Sequence, residues 1–129
     1  TKLANANESS KVFDLEPLKP NVSFEDFLKM DIRIGVVVAA EKIPKTKNLL
    51  ALKVEIGSEI RSIVSGIAMN HAPESIIGQK VTVLCNLKPR NLRGVESQGM
   101  ILMTKSAEES LVFVQPDAAQ NTVSGLKVS

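Results

Sequence analysis

Residues 50–64 read LALKVEIGSEIRSIV, and this pattern predicts a β-hairpin. Apolar side chains occupy every second position from Leu50 to Ile56, as in a strand that buries one face. Gly57-Ser58 then supplies a two-residue turn, so residues 59–64 are expected to pair back antiparallel. The two segments are predicted to be the second and third strands of a sheet.

Further strand patterns flank this hairpin on both sides. Before it, residues 31–38 read DIRIGVVV, and apolar residues at every even position from Ile32 to Val38 predict a first strand with these side chains pointing inward. After it, strands are expected at residues 80–85, at the apolar run 99–103, buried on both faces, and at residues 111–114. Residues 86–98 are expected to form a long polar connection.

Two short helices complete the pattern. Ser23 precedes an apolar segment with two acidic residues, and it is expected to cap a helix that ends near Met30. A second helix is expected over residues 72–77, where Pro73 suits the first turn and Gly78 ends the helix. This order of elements predicts an all-β fold with short helices: a five-stranded OB-fold barrel with an N-terminal helix and a C-terminal extension.

The chain is predicted to contain one domain. Its 129 residues, 43% of them hydrophobic and 23% charged, suffice for a single core. Residues 1–22 have two prolines and no sustained period, which predicts a flexible linker before a domain at residues 23–129. The sequence does not open with Met, so a piece of a longer protein and an N-terminus trimmed by processing both stay open.

The location expected for the chain is the cytoplasm. Neither a signal peptide nor a membrane-spanning segment is expected from the apolar runs of the sequence. A single cysteine, Cys85, excludes an internal disulfide framework and fits a reducing compartment.

Catalytic chemistry is not expected within this chain. His71 is the only histidine and Cys85 the only cysteine, so a catalytic triad or a metal site would lack its partners. We expect His71 to be a solvated loop residue and Cys85 to be a small buried residue of a strand. The sequence also lacks a glycine-rich phosphate loop. No enzyme activity, cofactor or metal is therefore expected for this domain.

Basic residues concentrate in the middle of the chain. Residues 33–105 carry 11 basic and 5 acidic residues, whereas each flanking segment has a net charge of −2. In the predicted barrel, many of these cations lie in the loops after the first and fourth strands, which flank the ligand face of an OB-fold. The six loop cations are Lys42, Lys45 and Lys47 in one loop and Lys88, Arg90 and Arg93 in the other.

This charge fits either a solvated face or a nucleic-acid surface. Arginine favours the second interpretation, because a guanidinium pairs two phosphate oxygens at once. The sequence has four Phe and no Tyr or Trp, which argues against a groove that stacks single-stranded bases. A structured RNA, contacted at its phosphates and by its shape, is therefore the expected partner.

Residues 86–100 read NLKPRNLRGVESQGM and resemble the family of tRNA-binding OB domains. That family includes the C-terminal domain of many bacterial methionyl-tRNA synthetases, free-standing tRNA-binding proteins, CsaA-type secretion chaperones and eukaryotic synthetase cofactors. The resemblance covers about residues 22–129. The supporting matches are FEDF at residues 24–27, MDIRIG at 30–35, IVSG at 63–66 and Ile77-Gly78.

The resemblance implies tRNA as the partner, contact near the outer corner of the tRNA, and a homodimer formed by the added terminal elements. The family's basic positions are matched by Arg33, Lys88, Arg90 and Arg93. Ser97 and Met100 match its Ser-x-Gly-Met element, and they are expected either to contact RNA or to support the loop and the barrel.

The first basic loop departs from the family pattern. Relatives often have NADKL where this chain has KTKNL at residues 45–49, so Lys45 and Lys47 are weaker candidates for RNA contact than the second cluster. Lys53, on the outward face of the second strand, completes the set of candidate RNA-binding residues.

The implied function is largely sequence-independent tRNA binding by a domain appended to the C-terminus of a methionyl-tRNA synthetase. The proline-containing segment before the domain and the QPDA sequence at residues 115–118 favour this branch. The longer enzyme would use ATP and magnesium, with zinc as a further candidate. The alternatives are a free-standing tRNA-binding protein and a CsaA-type chaperone, whose apolar groove would involve Val37, Ile63 or Leu84.

Overall fold

A computed structural model describes residues 15–129 of the chain, and it contains two short helices and nine strands. The helices are α1 (Phe24–Leu28) and α2 (Pro73–Ile76). The strands are β1 (Ile32–Lys42), β2 (Leu50–Ile56), β3 (Glu59–Ser65), β4 (Lys80–Leu84), β5 (Arg90–Leu92), β6 (Val95–Ser97), β7 (Met100–Ile101), β8 (Met103–Lys105) and β9 (Leu111–Phe113).

The hairpin predicted at residues 50–64 is confirmed as β2 and β3. Leu50 pairs with Ser65 and Ile56 pairs with Glu59, so the turn lies at Gly57-Ser58. The two strands belong to an antiparallel sheet with the order β3-β2-β1-β4-β7. This curled five-stranded sheet, with one helix before it and one between β3 and β4, confirms the predicted OB-type fold.

Side-chain hydrogen bonds help to close the sheet into a barrel. The backbone N–H of Gln98 donates to the Ser62 carbonyl at 2.7 Å, and the Ser62 N–H donates to Gln98 Oε1 at 3.0 Å. One residue pair further along β3, the Val64 N–H donates to Ser97 Oγ at 2.9 Å. These bonds join the free edge of β3 to Ser97 at the end of β6 and to Gln98, which follows it, and thereby enclose the core.

The direction of the β1 side chains differs from the prediction. Val37 is fully buried and Val38 is 42% exposed, so the even positions do not all point inward. Gly35 faces the interior, where an added Cβ would lie 2.6 Å from Val54 Cγ1. The pairing with β2 then shifts register between Val37 and Ala39, as at a β-bulge. Because β1 carries apolar residues on both faces, the sequence pattern did not show which of its side chains point inward.

The C-terminal extension runs along the first half of β1. The Ile34 N–H donates to the Leu126 carbonyl at 2.9 Å, and the Val128 N–H donates to the Ile32 carbonyl at 2.8 Å. Ile34 is consequently only 6% exposed. The extension therefore acts as an added partner for a strand edge that would otherwise be free.

The predicted helices are confirmed. Ser23 Oγ accepts from the Asp26 N–H at 3.0 Å and caps α1. Pro73 opens α2, and Gly78 follows it with a φ of +93°, a conformation that glycine adopts readily.

Two segment predictions were wrong in part and a third is confirmed. Residues 86–98 contain the hairpin β5–β6 and not a plain connection. The apolar run 99–103 is divided at Leu102 between β7 and β8, and Met100 is 45% exposed, so it is not one strand buried on both faces. The strand expected at residues 111–114 is present as β9 and pairs with β8.

The two residues set aside as non-catalytic have defined surroundings. Cys85 is 5% exposed, as expected, but it follows β4 and is not part of it. His71 was expected to be solvated, yet its ring stacks on Phe113 with 5.2 Å between centroids, and its Nε2 lies 2.7 Å from the Leu111 carbonyl. Stacking and this hydrogen bond hold the imidazole against β9.

The linker predicted at residues 1–22 lies partly outside the described residues, which begin at residue 15. Residues 15–22 are exposed and form neither helix nor strand. The boundary at residue 23 stays a prediction. Within residues 15–129, no helix combines the length and the apolar character that crossing a membrane requires.

Candidate nucleic-acid interface

The hairpin β5–β6 carries the second basic cluster. Its two strands pair from Arg90 opposite Ser97 to Leu92 opposite Val95, which leaves Arg93-Gly94 as a two-residue turn. The φ angles of Arg93 and Gly94 are +54° and +87°, as in a type I′ turn. The turn places the Arg93 side chain at the exposed tip of the hairpin.

The base of the hairpin brings Lys88 and Arg90 together. Both line a small pocket of about 70 Å³ between the hairpin and the barrel wall. Val64 of β3 and the half-exposed Met100 line the same pocket. Lys88 and Arg90 are exposed, so two cations border an apolar depression at this point.

The tip of the hairpin lies over the outward face of the sheet. Val95, which follows the turn, lines a groove of about 270 Å³ together with Lys53 of β2. The rest of this groove consists mainly of small side chains on β1, β2 and β3. They are Ala39, Ala51 and Ser62, with Glu41 at one end; Ala40 also borders the groove, although its side chain packs against the core. We call this depression the sheet groove. Small side chains leave room for a bulky partner to approach the sheet between Lys53 and the hairpin.

The cations around the sheet groove are free of acidic partners in the described part of the chain. The ion pairs within residues 15–129 join Lys29 to Asp26, Arg33 to Asp31 and Arg61 to Glu59. None of them involves Lys53 or the three cations of the hairpin. Their charges are therefore available to an anionic partner.

The first basic loop lies at the end of the sheet where Lys42 pairs with Leu50. Lys45 and Lys47 are exposed there, and Lys45 has a φ of +65° in a turn that Thr46 braces by donating to the Ile43 carbonyl at 2.7 Å. The loop is continuous with Glu41 and so adjoins one end of the sheet groove.

Arg33 lies away from the first basic loop. It lies nine positions before Lys42 on β1, which corresponds to about 30 Å along an extended strand. Its Nε donates to Asp31 Oδ1 at 2.8 Å and its Nη1 donates to the Gly125 carbonyl at 3.2 Å. The hydrogen bond to Asp31, followed by the charge of Asp31, raises the pKa of Arg33. These contacts give Arg33 a structural role at the opposite end of the barrel, next to Arg61.

The sequence left two roles open for Ser97 and Met100, RNA contact or structural support. The structure places the two residues in different surroundings. Ser97 is 6% exposed, and its hydroxyl accepts from Val64 N–H and donates to the Gly99 carbonyl at 3.2 Å. Ser97 therefore holds the barrel wall together and does not face a ligand. Met100 lines the pocket beside Lys88 and stays available for contact.

Sequence reasoning missed the small residues of the sheet groove. Ala51 alternates with Leu50 and Leu52, and Ser62 with Ile63, so the outward positions of β2 and β3 were detectable from the same alternation. Of the three residues considered for a chaperone groove, Val37 and Ile63 are fully buried and do not line one, whereas Leu84 is half-buried.

Comparison with known proteins agrees with this geometry. Residues 32–124 match the family described as "Putative tRNA binding domain". The methionine–tRNA ligase of Flavobacterium johnsoniae is 61% identical over 118 residues, which cover 92% of this chain and 16% of that ligase. The methionine–tRNA ligase of Cytophaga hutchinsonii is 54% identical over 121 residues, which cover 94% of this chain and 17% of that ligase.

Two solved structures show the same fold. The MetRS related protein of Pyrococcus horikoshii superposes with a TM-score of 0.78 at 34% identity, covering 86% of this chain and all of that one. The chaperone CsaA of Bacillus anthracis superposes with a TM-score of 0.74 at 29% identity, covering 85% and 100% of the two chains.

The chain thus spans about 16% of the length of the ligases that it matches. The matched part is their C-terminal region and not the catalytic ligase domain. The chain belongs to the tRNA-binding domain family, in the branch found at the C-terminus of methionine–tRNA ligases.

Proposed function

We propose that the sheet groove and the hairpin β5–β6 hold tRNA by its phosphates. The observation that carries this proposal is the grouping of Lys88, Arg90 and Arg93 on one hairpin beside Lys53, without acidic partners in residues 15–129. An arginine binds a phosphate through two parallel hydrogen bonds, and each neutralised phosphate releases counterions.

The residues around these cations favour recognition of the shape of an RNA over stacking of its bases. Phe113 is 8% exposed and lies inside the barrel, and Phe24 and Phe27 stack on each other in α1 with 6.4 Å between centroids. None of these three rings lines the sheet groove. Without an aromatic platform there, the groove suits the sugar–phosphate contour of a folded RNA better than a run of stacked bases.

The proposed role within a longer ligase is tethering. A domain that holds any tRNA weakly raises the local tRNA concentration at a linked catalytic domain. ATP and magnesium, with zinc as a further candidate, would serve that catalytic domain and not the residues described here. The same resemblance supports the cytoplasm as the place of action. Reading the gene upstream of Thr1 distinguishes this role from that of a free-standing tRNA-binding protein.

A triple substitution tests the RNA-binding surface. Changing Lys88, Arg90 and Arg93 together to Ala should weaken the binding of tRNAs of different identity alike, by about tenfold or more, because several charge-assisted hydrogen bonds are lost. Filter binding at fixed salt measures this affinity.

The control variant changes three lysines outside the hairpin and outside the proposed RNA surface to Ala: Lys11, Lys19 and Lys105. It loses the same charge, so it should retain most of the affinity. Equal weakening by both variants would show that net charge alone, and not the hairpin, holds the tRNA.

We also propose a homodimer formed through α1 and the C-terminal extension. The two elements meet in a shallow depression lined by Phe27, Leu28, Met30 and Val128. Leu28 and Met30 are 57% and 52% exposed, which is unusual for adjacent large apolar side chains on a monomer. Changing both to Asp should convert a dimer to a monomer in analytical ultracentrifugation, and a monomeric parent protein would refute the proposal.

A peptide-binding chaperone is the second candidate function. Leu87 and Met100, 39% and 45% exposed beside Lys88, form an apolar patch that favours it, as does the likeness to CsaA. The triple variant separates the two functions. Full suppression of substrate aggregation by that variant, together with no tRNA binding by the parent protein, would establish the chaperone function.

A further inference from the structure

A second depression opens next to the sheet groove, between the end of β1 and the segment before α2. Its volume is about 580 Å³, within the range of sites that hold small organic groups. It is lined by Glu41, Lys42, Met69, Asn70, His71 and Glu74, among other residues. We call it the β1–α2 pocket.

The β1–α2 pocket adjoins the sheet groove. Ala40 and Glu41 line both depressions, so one wall is shared. A nucleic acid strand held along the sheet groove would therefore run close to the mouth of the pocket.

Two polar side chains in the pocket are held in fixed orientations. The Leu111 carbonyl can only accept a hydrogen bond, so His71 Nε2, 2.7 Å away, carries the hydrogen. In the neutral ring, Nδ1 is then an acceptor. Asn70 Oδ1 accepts from the Leu111 N–H at 3.3 Å, which leaves the two amide hydrogens of Asn70 as donors. Both groups are oriented before any ligand arrives.

The charges of the pocket select the part of a nucleotide that can enter it. Glu41 and Glu74 are exposed carboxylates that make no ion pair or hydrogen bond with residues 15–129. The exposed Lys42 offsets one of the two carboxylate charges, so the pocket keeps a net negative charge that disfavours a phosphate, whereas its carboxylates accept hydrogen bonds from the N–H groups of a base. Met69, 73% exposed, and Pro73 offer apolar surface to the base plane.

We propose that the β1–α2 pocket receives one unpaired base of the RNA whose backbone the hairpin β5–β6 holds. Because its carboxylates and His71 Nδ1 accept hydrogen bonds and the Asn70 amide donates them, the pocket suits the edge of a base, which carries both donors and acceptors, better than a phosphate, which only accepts. This inference rests on the proposed function, and it adds base contact at one nucleotide to phosphate contact elsewhere.

The test exploits the sign of the electrostatic effect. Glu41→Gln combined with Glu74→Gln adds two units of positive charge, which by itself strengthens the binding of any RNA. The inference expects the opposite for tRNA: affinity about tenfold lower, because charge-assisted acceptors of the base are lost. A fully paired duplex RNA, which has no unpaired base, should bind the variant as tightly as the parent protein or more tightly.

Glu16→Gln with Glu25→Gln is the matched control. It adds the same charge outside the pocket and should not weaken tRNA binding. Tighter tRNA binding by the pocket variant, equal to that of the control, would overturn the inference. The Lys88/Arg90/Arg93 triple-alanine variant distinguishes the two proposals. If it binds tRNA as well as the parent protein does, the proposed function is wrong, whatever the pocket variant shows.

A direct titration gives an independent readout. In NMR spectra of the parent protein, nucleoside monophosphates should shift the signals of Met69, Asn70 and His71, whereas ribose 5-phosphate, which has no base, should not. Equal shifts with ribose 5-phosphate would show binding of phosphate or ribose, and would contradict binding of a base.

Discussion

The hydroxyl of Ser97 shows how a residue within a binding motif serves the fold. Changing Ser97 to Ala removes the acceptor for the Val64 N–H and should lower the free energy of unfolding by about 1–2 kcal/mol. Urea denaturation measures the loss, and Ser62→Ala, an outward serine of β3, is the matched control and should change stability by less than about 0.5 kcal/mol. At temperatures where the variant is folded, its tRNA affinity should equal that of the parent. A selective loss of tRNA affinity in Ser97→Ala would assign the hydroxyl to RNA contact instead.

Because of Cys85, the stability of the folded chain should change with pH in the alkaline range. Burial, followed by the charge of Asp31, raises the pKa of the Cys85 thiol above its usual value. The unfolded chain therefore loses this proton at lower pH than the folded chain. The stabilisation is complete below the usual thiol pKa of about 8.5 and is lost as pH rises toward the folded pKa. Between pH 8 and 10, the parent protein should lose more stability than Cys85→Ala does. Parallel pH profiles of the two proteins would contradict the assignment.

At the scale of elements, the hairpin β5–β6 stores backbone strain at its tip. Arg93 holds a left-handed conformation that costs an L-residue about 1 kcal/mol, whereas Asn tolerates it. Arg93→Asn should therefore raise the melting temperature while it weakens tRNA binding. Arg93→Ala removes the same charge without relieving the strain, so it should weaken binding equally and leave the melting temperature lower than in the Asn variant. Equal melting temperatures for the two variants would argue against strain in this turn.

The close contact between β1 and β2 depends on Gly35. An added methyl group would lie 2.6 Å from Val54 Cγ1 and 3.2 Å from the Glu55 carbonyl oxygen. Gly35→Ala should lower the free energy of unfolding by about 1–3 kcal/mol through overpacking. Gly66→Ala, where the nearest atom is 3.7 Å away, is the control and should have little effect in the same denaturation experiment.

The elements differ in how well sequence could predict them, and the reasons are physical. The β2–β3 hairpin was predictable because one buried face forces strict alternation, and Gly57 marks its turn. The β5–β6 hairpin was missed because strands of three residues carry almost no alternation, and Arg93-Gly94 lacks the usual Asn or Asp. The sequence did not show which β1 side chains point inward, because the C-terminal extension buries a side chain that faces away from the barrel.

The sequence could propose candidate site residues but could not show how they are arranged. Loop position correctly grouped Lys88 and Arg90, since both follow one strand. Arg33 as an RNA contact stays a prediction, and a family position does not reveal that Asp31, two residues away, holds the guanidinium. Predicting the small residues that line the sheet groove requires the strand register as well as the sequence.

At the scale of the whole molecule, the cations proposed to bind RNA and the cations that form ion pairs within the barrel lie in different places. The hairpin cations and Lys53 lie along one outward face, whereas the ion-paired arginines Arg33 and Arg61 lie at one end of the barrel. The central claim is that the first group neutralises RNA phosphates. Salt dependence reports the number of phosphates neutralised, independently of the identity of the tRNA.

The most direct measurement is the tRNA affinity of the parent protein and of the Lys88/Arg90/Arg93 triple-alanine variant across a range of salt concentrations. By analogy with duplex DNA, the log–log slope should be about −0.9 per phosphate neutralised. The variant should have a slope smaller in magnitude by about 2 to 3, one unit for each lost contact. Identical slopes for the two proteins would show that these three side chains do not touch the phosphates of tRNA.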